Sequence, residues 1–396
     1  MTYMAALATG TFIIVGLGVS LFAGHYSKTL VQTVASFAVH TAAALLIYYI
    51  VGLGAPDAEY YDRAALALAI GGPEVNVTAG KEGWILILAA IYTQIGHFPE
   101  LGLVLNATFA ALTVCVAGLT AARLDLPVGP TAWITAAFPS GIIWSSFLLR
   151  ESFSWLLISL CALAFAGLAS GKFRWPELAL ALTALAGLLL VRGTAAVAVA
   201  AAGLIAIAFV RRRYISFLLG TALGALVAIA SPLGTRVNDV VGGITVDTFN
   251  SSRSALSGSA STSWPTIDVT GIPSAWEAFL IAFPRVIFGP YPWEWPSMAI
   301  PLALDGLLWL VILSLTIRAC LVLRDRRLAV LLLPAAALLA ALVVGSGNYG
   351  TMERLRMQST FLMIPVAAAG FVSLVPSLRT RTSIDGVTDK DAVQNP

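Results

Sequence analysis

From Leu30 to Gly54 the chain contains no Asp, Glu, Lys or Arg. A helix of that length is long enough to cross the roughly 30 Å hydrocarbon layer of a bilayer. Runs of the same kind recur, and they constrain the fold more than any motif does. They can be drawn at about 4–23, 30–54, 100–122, 128–148, 152–171, 176–191, 194–210, 215–234, 298–322, 328–345 and 358–376, about eleven spans in all. Charged residues make up 11% of the chain, against roughly a quarter in a soluble domain, which excludes a soluble globular protein. The expected fold is an all-α polytopic membrane protein, with one transmembrane domain over 1–376 and a disordered cytoplasmic tail over 377–396.

Alternating the spans gathers Lys28, Arg123, Lys172, Arg174, Arg211, Arg212, Arg213, Arg324, Arg326, Arg327, Arg379 and Arg381 on one side. The positive-inside rule makes that side the cytoplasm, leaving the N-terminus outside and the C-terminus inside. The first apolar segment has no basic flank or small-residue cleavage site and reads as a retained span. Cys115, Cys161 and Cys320 fall inside spans on no ligand spacing, so they read as packing residues. The net charge of +3 reports the cytoplasmic loop bias, and no nucleic-acid partner is expected. High Ala, Val and Arg usage leans toward a multi-pass protein of a bacterial inner (plasma) membrane.

Three outer loops break the hydropathy pattern, at about 55–99, 235–297 and 345–358. The first opens with Asp57, Glu59 and Asp62 around Tyr60 and Tyr61. It later passes through an apolar run from Trp84 to Gly96 that is too short to span and reads as an interfacial or re-entrant helix. The second is rich in Ser, Thr and Gly to about residue 263. It then turns aromatic and Pro-rich through Trp264, Trp276, Tyr291, Trp293 and Trp295, the composition of a headgroup-level anchor. The third holds Glu353, Arg354 and Arg356.

Ionisable residues at a membrane boundary are candidates for function, to be weighed against simple solvation. Asp57 can act as a general base toward an alcohol, or share a divalent cation (Mg or Mn) with Glu59. Arg354 and Arg356 run against the positive-inside trend, and their planar forks suit a phosphate; neutralisation by Glu353 or lipid is the alternative. Lys81, Arg150, Arg192 and Arg285 also fall at outer span ends, where a cationic ring around an anion and snorkelling side chains look alike in sequence. The Arg150–Glu151 pair is either a structural ion pair or a second acidic position that holds an acceptor or a metal. His97 reads as an interfacial residue rather than a proton carrier. No Gly-rich phosphate loop, zinc motif or nucleophile elbow occurs.

Four patterns carry a family resemblance. They are Asp57-Ala58-Glu59-Tyr60-Tyr61-Asp62-Arg63 followed by Gly71-Gly72; Ile91 to His97 running on to Asn106 and Arg123-Leu124; Phe138-Pro139-Ser140 through Trp144 to Arg150-Glu151; and Asn348-Tyr349-Gly350 through Arg354-Leu355-Arg356 to Pro365. In this order the chain resembles the GT-C class of integral-membrane glycosyltransferases, similar to the dolichyl-phosphate-mannose-protein mannosyltransferase-like and aminoarabinose-transferase-like bacterial families. The resemblance implies a GT-C-like helical fold with extracytoplasmic juxtamembrane helices, and inverting transfer from a polyprenyl-phosphate-linked sugar to a lipid, glycan or protein acceptor. Asp57 would be the base, with Glu59 beside it. Arg354, Arg356 and Lys81 would hold the donor phosphate, Arg150 and Glu151 would form the second acidic position, and the segment carrying Arg285, Tyr291, Trp293 and Glu294 would cover the lipid. Two rival readings are a polymerase or ligase of lipid-linked polysaccharide, in which Arg285 and Glu294 outweigh Asp57, and a lipid-linked glycan transporter.

Overall fold

The computed structural model describes residues 3–72, 80–169, 175–212, 245–247, 250–251, 254, 262–264, 267–297 and 300–375. Helices account for nearly all of them: α1 Tyr3–Tyr26, α2 Leu30–Val51, α3 Pro56–Ala69, α4 Glu82–Ile95, α5 Pro99–Arg123, α6 Val128–Ala137, α7 Pro139–Ser145, α8 Glu151–Ala169, α9 Trp175–Arg211, α10 Ile272–Phe288, α11 Ile300–Leu323, α12 Ala329–Gly345 and α13 Tyr349–Val372. Among the described residues no strand forms, and the single β-bridge joins Ser263 to Asn348. Eight helices are long and apolar enough to cross a membrane, as expected of a multi-pass membrane protein: α1, α2, α5, α8, α9, α11, α12 and α13.

The shortfall from eleven spans has three sources. The run at 128–148 is not one span. Pro139 lacks a donor N–H, Phe138 before it is extended (φ −68°, ψ 118°), and the helix divides into α6 and α7. The runs at 176–191 and 194–210 are two limbs of α9, joined where Arg192 leaves helical geometry (φ −159°, ψ 80°). Contacts at its ends show that α9 folds back on itself. Glu177 meets Arg123 at 2.8 Å, Phe209 lies under the Arg326 guanidinium at 5.9 Å, and neighbouring Arg327 meets Asp125 at 2.9 Å, so both ends share one end of the bundle. Arg192 meets Glu151 at the opposite end. The run at 215–234 lies outside the described residues, as do most of the Ser/Gly-rich stretch and the tail 377–396.

Helices α5, α8 and α13 are the most enclosed, while α1, α2 and α11 keep broad apolar faces outward. Gly370 lets the backbone of α13 close on the Leu315 carbonyl of α11, where a Cβ would collide. The predicted outer loop 345–358 shrinks to a short connector. Asn348 caps α13, its side chain accepting from the Thr351 N–H at 2.7 Å, so Glu353, Arg354 and Arg356 stand on helix rather than loop. The aromatic stretch before it is also helical in part, as α10 and a 3-10 turn over Pro292–Ser297.

The short apolar run after Lys81 is α4, closed by Gly96 at φ +113°, a conformation favouring glycine. Ala58, Tyr61, Ala64 and Ala65 of α3 pack against Trp84, Ile85, Leu88 and Tyr92 of α4 in one buried cluster. That packing fixes the two chain ends bearing Asp57 and Lys81. Across from them, buried Asn106 of α5 donates to the carbonyls of Phe147 (2.9 Å) and Leu149 (2.8 Å), pinning the chain just before Arg150 and Glu151.

Candidate functional site

Five elements, α3, α4, α8, α9 and α13, meet at the Arg192 end of the bundle. Pro56 starts α3 and places Asp57 in its first turn, where a carboxylate also complements the helix dipole. Asp57 Oδ2 accepts from Arg354 at 2.9 Å, and Asp57 Oδ1 lies 3.5 Å from Lys81 Nζ. The Lys81 ammonium also faces the rings of Tyr60 and Tyr61, at 4.9 and 5.6 Å from their centroids. Behind this pair, Glu151 Oε1 is 2.6 Å from Arg192 and 3.2 Å from Arg354 Nε. Arg354 therefore joins an outer carboxylate, 38% exposed, to an inner one, 1% exposed. Arg150 is spent on backbone, donating to the carbonyls of Val191 (2.6 Å) and Gly80, and Glu82 is turned onto the Gly80 N–H at 2.6 Å.

The group sets four cations, Lys81, Arg150, Arg192 and Arg354, against the carboxylates Asp57, Glu82 and Glu151, an excess of one positive charge. Buried polar atoms remain unsatisfied there: Glu151 Oε2 and Arg192 Nε have no hydrogen-bond partner among the described residues. A buried donor of that kind suits an oxygen atom of an anion. Partial burial pushes the Asp57 carboxyl up, but Arg354 and then Lys81 outweigh it, and the net effect holds it below the usual carboxylate range. Burial pushes the Tyr61 phenol up.

The sequence-predicted residues are only partly brought together. Arg356 stands two positions from Arg354 and so points to the other side of α13. It is 1% exposed and donates to the carbonyls of Gly289 (2.8 Å) and Val286 (3.4 Å). It also lies 3.6 Å from Asp305 and over the Trp309 ring at 5.1 Å. The expected pairing of Arg354 and Arg356 on one phosphate does not form. Arg285, Tyr291, Trp293 and Glu294 gather on the Arg356 side instead. Glu294 accepts from the Tyr291 N–H at 3.0 Å and from the Tyr349 hydroxyl, lies 3.7 Å from Arg285, and is flanked by the stacked Tyr291 and Trp293 rings. Glu353 neutralises neither arginine through an ion pair, and its buried Oε1 has no hydrogen-bond partner among the described residues.

Glu59 is exposed and two residues from Asp57 on the same helix, so the two carboxylates diverge. With both Asp57 oxygens facing cations, the donor set does not fit a divalent cation there. Among the described residues no cluster of three His, Cys, Asp or Glu converges anywhere. Asp62 turns away from Asp57 and accepts from the Tyr92 hydroxyl at 2.6 Å and from His97 Nε2 at 3.0 Å, so His97 is tied into a polar group rather than simply interfacial. Arg192 is central to the observed site. Its one sequence signal is a lone arginine dividing two short apolar runs.

Comparison with protein-family models, curated proteins and solved structures finds no match for the chain. Its own geometry defines a helical multi-pass membrane protein with a net-positive ionic site at one end of the bundle.

Proposed function

We propose that the protein transfers a sugar from a polyprenyl-phosphate-linked donor to an acceptor hydroxyl on the extracytoplasmic face of the membrane, in assembly of a cell-envelope glycan, glycolipid or glycoprotein. The observation that carries the reading is the partly open Asp57 carboxylate held between Arg354 and Lys81, in a cluster whose cations outnumber its carboxylates. A phosphodiester donor carries one negative charge and its monoester product up to two. Fixed cations of this number therefore favour the departing phosphate over the bound donor, which is the condition for accelerating the step. Asp57 takes the acceptor proton while the acceptor oxygen bonds to the anomeric carbon. The bond from that carbon to the phosphate oxygen breaks, and its electron pair leaves with the polyprenyl phosphate toward Arg354 and Lys81. Glu59, Arg356 and the Tyr291–Glu294 segment have no direct part in this scheme.

Transport of a lipid-linked glycan is a second reading, favoured by one observation: Asp305, Glu353 and Arg356 are ionisable and buried among the spans. Transfer by purified protein from radiolabelled polyprenyl-phosphate sugars separates the two. The expected outcome is transfer by the wild type and a loss of about 100-fold or more in Asp57→Asn, the usual weight of a general base. Equal transfer by both proteins removes Asp57 from the chemistry. Movement of labelled lipid across vesicles without transfer favours the second reading.

A further inference from the structure

The carboxylate that this chemistry needs as a base is engaged by the cations that the same chemistry needs for the phosphate. Asp57 Oδ2 holds Arg354 at 2.9 Å and Oδ1 faces Lys81 at 3.5 Å. Resting on the donor reading above, we propose that Asp57 and the donor phosphate compete for Arg354 and Lys81, so that donor binding itself releases Asp57 to act as the base.

The arrangement of the two ion pairs supports an exchange rather than a collapse. The inner pair, Glu151 with Arg192 at 2.6 Å, has side chains 1% and 7% exposed and is the fixed part. Arg354 is attached to it through Nε, 3.2 Å from Glu151, while its NH1 reaches outward to Asp57. A guanidinium with one edge anchored keeps its place when the other edge changes partner, because its donors form a rigid planar fork. The outer pair is looser: the side chains of Asp57 and Lys81 are 38% and 24% exposed, and Asp57 stands at the start of a short helix. Replacing a carboxylate by a phosphodiester on these cations substitutes one singly charged oxygen anion for another, so each cation keeps an anionic partner. The other groups around Asp57 are Tyr60 and Tyr61 beside Lys81 and Glu151 behind Arg354; Arg150 and Glu82 are turned onto backbone atoms.

Glu151 thereby acquires a role different from an acceptor site. It is a positioning residue that acts through Arg354. Once released, Asp57 loses the neighbours that hold its carboxyl below the usual range and becomes a stronger base at the moment a donor is present. The acceptor proton passes to this carboxylate, and the leaving electron pair goes to the phosphate oxygen now facing Arg354 and Lys81.

The test is calorimetric titration of the purified full chain in detergent with a methyl polyprenyl phosphodiester, whose single charge does not titrate near neutral pH. Asp57→Asn and Asp57→Ser are expected to bind it about tenfold more tightly than the wild type, the scale of one charge-assisted contact, while losing transfer. Lys81→Gln is expected to bind it more weakly. Equal or weaker binding by both Asp57 variants, at unchanged melting temperature, overturns the exchange and leaves the donor reading standing. Absence of binding by the wild type and every variant overturns both. If the variants do not fold, wild-type affinity decides: it should rise as pH falls through about 4, because the released carboxylate in the complex takes up its proton before the paired one in the free protein does. A flat profile overturns the exchange.

Discussion

Arg354 and Arg356 are separated by one residue on one helix, yet they belong to different regions with different physics. Arg354 is 18% exposed and bridges two carboxylates from α3 and α8, one of them 38% exposed and the other 1%. Arg356 is 1% exposed, and its contacts are with backbone carbonyls at the end of α10, with Asp305 and with the Trp309 ring of α11. The first joins an open carboxylate to a buried one at the edge of the bundle. The second ties α10, α11 and α13 together. A pair of arginines in sequence is thus one partly exposed bridging group and one fully buried group, because a spacing of two places side chains about 200° apart around a helix.

The sharpest way to break this comparison is Arg356→Met. Removing the guanidinium strands buried Asp305, so unfolding in detergent should show a loss of about 3–5 kcal/mol, the cost of leaving a buried charge uncompensated. A loss below about 1 kcal/mol would mean that Arg356 is not structural and that the two arginines are less different than their burial indicates. Arg354→Gln should behave in the opposite sense. Transfer should fall by about 100-fold or more, as for removal of one donor to a developing oxyanion, while stability falls by only about 1–2 kcal/mol through the weaker neutralisation of Glu151.

The smallest effect concerns the outer pair. The folded Asp57 carboxyl lies below its unfolded value, so its pairing stabilises the fold above about pH 4 and the contribution disappears as pH falls through the lowered value. Wild type should exceed Asp57→Asn by less than about 1 kcal/mol at pH 7, discounted for solvent screening, and the difference should shrink as pH falls below about 4 toward the lowered value. A constant difference across that range would show that the Asp57 side chain contributes packing rather than charge.

Several elements were legible without coordinates. The spans α1, α2, α5, α8, α11 and α12 follow from predominantly apolar runs of crossing length, and α4 from a run too short to cross. Asp57, Lys81, Glu151 and Arg354 stood out as charges at span ends, and the structure brings these four into one group. Arg356 and Glu59 were grouped with them on sequence proximity and the family resemblance, and helical phase separates them; the aromatic segment was grouped by the resemblance, and packing sets it on the Arg356 side. Prolines show the limit of local rules. Pro139 divides a predicted span, yet Pro334 and Pro365 sit inside α12 and α13 without ending them. The bend at Arg192 was marked in the sequence by the charge of Arg192 and by Gly193 after it, between the runs 176–191 and 194–210. It coincides with the ion pair to Glu151, and a charged side chain among apolar helices must find its partner.

The sequence by itself determined that this is a helical membrane protein, roughly where its spans lie, and that its unusual charges collect at span ends. Those properties follow from transfer of apolar side chains out of water and from the high cost of unpaired charge in an apolar medium, both of which can be read residue by residue. Only the tertiary structure decided which charges meet. Asp57 and Arg354 are 297 positions apart in the chain, and their contact depends on how α3, α4, α8, α9 and α13 pack. Charge partners are chosen by that packing and by the 100° step between successive helical side chains, neither of which a linear list of residues contains.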